Sequence, residues 1–176
     1  MMAALEFLRL QAPIVTLALL FGGAALALVI PHGRVSWTIG IVSALAALIA
    51  STQLSWAFIV SGDAMAAYGF LALDGAGAFA APLVAVLAFL ALLAEAPTLA
   101  DRPERAQPYA IALHLAGAGA WIGALLARDL IGVVVCASAG WLAIAGLTAL
   151  PAQRGAINGA LRMTMAGGAG AAFMLL

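Results

Sequence analysis

The chain has 176 residues, of which 66% are hydrophobic and 8% charged, and its mean hydropathy is +1.18. A soluble domain carries about 25% charged residues, so this composition excludes a water-soluble fold and any soluble catalytic domain. Seven Arg balance seven acids without a single Lys, which leaves no basic field for nucleic acid, and the lone Cys136 excludes a disulfide framework or a Cys-based metal site.

Windows of about 19 residues pick out six apolar stretches, so the expected fold is all-α, a polytopic membrane protein of about six transmembrane helices in one membrane domain. The first is expected over 12–30, with Pro13 in its first turn, where a missing N–H is harmless, and Pro31-His32-Gly33-Arg34 as its stop. Its core is long for a signal peptide, and further spans follow it, so it is expected to be retained. The second is expected over 35–60, longer than a simple span, so it tilts or ends early with Trp56 at the headgroups. Residues 61–74, with Asp63, Tyr68, Phe70 and Asp74, are too short and broken to cross and are expected to lie along the surface.

The third helix is expected over 75–94, bent or loosened by Pro82. The stretch AEAPTLADRPERAQP then reads as an exposed loop, because it gathers acids, Arg and Pro. Helices at 109–127 and 130–150 form an antiparallel hairpin closed by Arg128-Asp129, and the rest of the chain is expected to pack around it. The sixth is expected over 157–176. Glycines in the last three spans, Gly119-x-x-x-Gly123 among them, offer small faces where backbones approach closely. The loops after the first, third and fifth helices hold Arg34, Arg102, Arg105 and Arg154, against Arg9 and Arg128 on the other side. That bias places the odd loops in the cytoplasm and both termini outside, in a bacterial inner membrane.

Few side chains could carry chemistry. Arg162, about five residues into the sixth helix with Asn158 one turn before it, is an ion-pathway residue or an Arg that snorkels to the interface. A guanidinium keeps its proton near neutral pH, so it could hold an anion but not relay a proton. His114 offers an imidazole, a class that titrates near neutrality and suits a relay, although a lone intramembrane His more often makes one interhelical hydrogen bond. Ser138 reads as interhelical glue, and Arg128 with Asp129 as a wet interfacial pair worth under about 1 kcal/mol. No catalytic constellation, cofactor motif or metal-ligand spacing stands out.

From Asp74 onward the chain resembles the antiporter-like membrane subunits of respiratory complex I and of multisubunit cation/proton antiporters, most nearly NADH-quinone oxidoreductase subunit N. The residues that carry the likeness are Asp74 to Phe79, Gln107 to Gly117 with Tyr109, Ala127-Arg128-Asp129-Leu130, and Asn158 to Met163. The family's fifth-helix Glu falls on Ser138, its sixth-helix Lys on Arg162, and the acid one turn before that Lys on Asn158. The resemblance therefore implies a shortened, non-catalytic accessory subunit of a proton- or cation-translocating respiratory-type complex. Its partners would be other membrane subunits and lipids, and it would position neighbours rather than conduct protons itself. The alternatives are a small stand-alone transporter or assembly factor, and the first half of a split subunit.

Overall fold

The computed structural model describes residues 2–30, 32–61, 65–68, 71–100, 102–151 and 154–174, with side chains throughout except at 2–10, 57, 61, 65–68, 98–100 and 174. It is a helical bundle: α1 (Met2–Val29), α2 (Gly33–Ser61), α3 (Gly75–Ala100), α4 (Gln107–Leu126), α5 (Leu130–Ala149) and α6 (Arg154–Met174). Five of these, α1 to α5, are long and apolar enough to cross a membrane. The expected all-α polytopic class is what the chain adopts. The sixth, α6, has 21 residues, but Asn158, Arg162, Thr164 and its glycines keep it below the apolarity of a self-sufficient span.

Two helices run further than their prolines predict. Helix α1 begins at Met2, so Pro13 lies inside it, and α3 continues to Ala100 with both Pro82 and Pro97 inside. A proline deletes one backbone bond, and in a bundle the packing of neighbouring helices outweighs that loss. The extension of α3 matters for function, because it carries Glu95 on a helix rather than in a loop.

Helix α4 sits at the centre. It packs against α1, α2, α3 and α5, and 61% of its span is buried, against 22% for α5. Small residues allow this. Gly119 lies under the Phe21 ring and Leu20 of α1, and Gly123 lies against Sγ of Cys136 on α5, so a Cβ at either would come within 3.1 or 3.2 Å of those side chains. Among apolar helices in lipid, close approach and dispersion contacts drive association. The fully buried large side chains Leu20, Leu54, Leu92, Ile111, Leu115, Ile122 and Leu126 fill the gaps between alanines. Hydroxyls add directed bonds: Ser36 Oγ donates to the Ile30 carbonyl at 2.8 Å, tying α2 to the end of α1, and Ser55 Oγ donates to the Ala78 carbonyl of α3 at 2.6 Å.

The 61–74 segment departs from the expected surface loop. Strands β1 (Met65–Tyr68) and β2 (Leu71–Leu73) pair antiparallel, Leu71 and Leu73 are buried in the core, and the backbone of Leu71 bridges to Ala127 at the α4–α5 turn. Alternation puts both leucines on one face, and that face folds in over the bundle end. Asp63, Phe70 and the Tyr68 side chain lie outside the described residues. At that same end Asp74 and Asp129 cap α3 and α5, accepting from the backbone N–H of Gly77 and Gly132, each at 2.6 Å. A carboxylate at a helix N-terminus meets both an unpaired donor and the positive end of the dipole.

Candidate functional site

The most ionic part of the interior lies where α3 ends and α4 begins. Glu95 on α3 stands between a guanidinium and an imidazole: its Oε1 is 3.5 Å from Nη2 of Arg102, and its Oε2 is 3.5 Å from Nδ1 of His114 on α4. All three side chains are mostly shielded, with 24%, 24% and 16% of their surfaces exposed. The arrangement follows from the local chain. Continuation of α3 beyond Ala94 carries Glu95 on the helix beside α4, and the turn that follows returns Arg102 to the same place. Gln107, the first residue of α4, fixes the turn by donating from Nε2 to the Arg102 carbonyl at 3.2 Å.

An ion pair removed from water loses hydration and recovers it only through close, well-directed contacts. Here the contacts are long, and Nη1 of Arg102 is buried with no hydrogen-bond partner among the described residues. One carboxylate thus serves both a guanidinium, which stays charged, and an imidazole. The cluster places this carboxylate between the two at the bundle end.

Beside the cluster, on its outer side, lies an open cavity of about 1040 Å³ bounded by the start of α2, the end of α3, the α3–α4 turn and Gln107. The first turns of α2 and α4 meet there so closely that a Cβ on Gly33 would overlap the Gln107 side-chain amide.

Of the residues singled out from sequence, only His114 belongs to this cluster. Arg162 and Asn158 are exposed on the outer face of α6, and Ser138 is partly buried on α5. Helix α5 stands between α4 and the α6 residues Asn158 and Arg162, because α6 packs chiefly on α5. Arg128 and Asp129 are exposed and form no ion pair with each other among the described residues; Asp129 is turned back onto its own helix as a cap. Asp74 acts likewise on α3. Glu95 and Arg102 were missed because the proline-rich run after Ala94 reads as exposed loop. The available signal was that Glu95 precedes Pro97 by two residues and continues the periodicity of α3.

Comparison with family models, with curated proteins and with solved structures returns no match. Among the described residues no group of three or more His, Cys, Asp or Glu is placed to hold a metal ion.

Proposed function

We propose that the chain is an accessory membrane subunit of a larger assembly, of the proton- or cation-translocating respiratory type, and that α6 is the seam on which a neighbouring subunit sits. The observation that carries this reading is the mismatch between α6 and a lipid environment. Its outer face exposes Asn158, Arg162 and Thr164 together with Met165 and Phe173, and Gly159, Gly168 and Gly170 have open space where a Cβ would stand. An Arg within a span costs roughly 2.5–3.5 kcal/mol on insertion scales when nothing compensates it. Small residues and polar groups on a lipid-exposed face are the features by which membrane helices recognise one another. A partner helix laid on α6 meets both requirements, filling the glycine surface and giving Arg162 and Asn158 acceptors and donors.

The same reading accounts for the family likeness, in which the positions of a protonatable Glu and Lys are held here by Ser138 and Arg162. A pair that cannot exchange a proton suits a positioning subunit better than a channel. The odd loops, with Arg34, Arg102, Arg105 and Arg154, then face the cytoplasm of a bacterial inner membrane, and both termini lie outside.

The test is purification of the tagged chain in mild detergent, followed by mass spectrometry of what accompanies it. Respiratory or antiporter-type membrane subunits in stoichiometric amount are expected. Recovery as a monomer or homo-oligomer would overturn the reading and favour a stand-alone transporter.

A further inference from the structure

The two faces of α6 differ in chemistry. Its inner face packs on α5 through the buried Ala160 and through Gly167, where the Trp141 side chain lies so close that a Cβ would come within 3.0 Å of it. The opposite face holds Asn158, Arg162, Met165, Ala169 and Phe173, all exposed, at the spacing that lines residues up along one side of a helix. The first two are polar and the other three apolar. This outer face therefore has a polar part towards the start of the helix and an apolar part towards its end.

Arg162 sets what the polar part can recognise. At about 1.5 Å rise per residue it stands roughly 12 Å along α6 from Arg154. Neither Arg162 nor Asn158 makes a side-chain hydrogen bond or ion pair among the described residues, whereas Thr164 beside them donates to the Ala160 carbonyl at 3.0 Å. A guanidinium keeps its charge, and within a span it calls for an acceptor of opposite sign. A carboxylate matches it best, because its two oxygens accept from paired guanidinium N–H groups, and the Asn158 amide one turn away can donate to the same group.

A second copy of the chain does not supply that carboxylate. Helix α6 contains no acid. Of the acids whose side chains are described, Glu95 lies inside the bundle between Arg102 and His114, Asp74 and Asp129 cap helices at the opposite end, and Glu104 sits in the α3–α4 turn. Two copies joined on α6 in the same membrane orientation would set Arg162 against Arg162, and like charges facing each other disfavour association.

We infer that the neighbour on α6 is a different membrane protein whose facing helix carries an aspartate or glutamate at the depth of Arg162, with aliphatic or small side chains further along against Met165, Ala169 and Phe173. Gly168 and Gly170, with open space where a Cβ would stand, border the apolar part and let that helix come close. The inference rests on the reading of α6 as a subunit seam and names what the seam recognises.

The experiment places a photo-crosslinking amino acid at Met165 in cells that express the full chain, in the native background and with Arg162→Lys, Arg162→Gln or Arg162→Glu. The crosslinked partner is identified by peptide mass spectrometry. A partner with an acid inside a membrane span is expected, with adduct yield kept in Arg162→Lys and about tenfold lower in Arg162→Gln and Arg162→Glu. Changing the partner's acid to Arg should restore the adduct to Arg162→Glu and remove it from the native chain, an exchange that a mere packing role for Arg162 would not produce. The comparison of Arg162→Lys with Arg162→Gln tests the charge even where Arg162→Glu fails to insert. Equal protein adducts from the native chain and Arg162→Gln, or a partner without an acid in any span, overturn the inference alone. Lipid adducts alone, or an adduct with a second copy, overturn the subunit reading as well.

Discussion

At the residue scale the fold turns on Glu95. Its carboxylate faces both the Arg102 guanidinium and the His114 imidazole, so the three positions are not equivalent on substitution. Glu95→Gln removes the carboxylate that faces the Arg102 guanidinium in a shielded place and is expected to lower stability by about 1–3 kcal/mol. His114→Gln, which leaves the Glu95–Arg102 pair intact, is expected to cost less. Thermal unfolding in detergent checks the order, and a larger loss for His114→Gln would contradict it. Arg162→Ala should leave the stability of the isolated chain within about 0.5 kcal/mol of the native value, because the residue is exposed on α6. Sequence reasoning found His114 because an imidazole in an apolar span is conspicuous. It missed the partner because the proline two residues after Glu95 is a strong local stop signal, and only the packing of α3 on α4 overrides it.

At the element scale, glycines distinguish finished packing from open packing. Gly77, in the first turn of α3, lies under the Leu125 carbonyl of α4, and a Cβ there would come within 2.8 Å of that oxygen. The obstacle is backbone, which cannot rotate away, so Gly77→Ala is expected to separate α3 from α4 and destabilise the bundle by about 1–3 kcal/mol. Gly159 on α6 has nothing within 4 Å of the same position, so Gly159→Ala should be neutral or slightly stabilising through helix propensity. Unfolding of the two variants side by side reads the difference, and equal effects would contradict the packing described. The positions of the spans were legible from hydropathy alone, since each apolar run became a helix. Their ends were not, because Pro13 and Pro97 mark breaks in water that a membrane bundle tolerates. The 61–74 segment was misjudged for a different reason: only a short run of alternation signals β1 and β2, and burial of Leu71 and Leu73 depends on the distant α4–α5 turn.

At the scale of the whole molecule, charged groups sit at both ends of the bundle: Arg34, Arg102 and Glu104 line the cavity at one, and Asp74 and Asp129 cap helices at the other, with Arg128 beside them. In a Cys136→Ala background, cysteines placed at Glu104 and at Arg128 should react from opposite sides of the membrane, the first only from the cytoplasm; reaction of Glu104→Cys from outside would reverse the proposed orientation. The lateral surface is also two-sided, since α3 presents apolar residues such as Leu83, Leu87 and Leu90 to its surroundings, whereas α6 presents glycines, Asn158 and Arg162. That contrast is the basis for assigning α6 to a protein neighbour and the outer face of α3 to lipid. The most direct test is a photo-crosslinking amino acid placed in cells at Met165 on α6 and at Leu87 on α3, which are 65% and 58% exposed. A protein adduct of defined mass from Met165, with lipid adducts alone from Leu87, is the predicted result. Lipid adducts alone from both positions would contradict the account of α6 as a subunit seam.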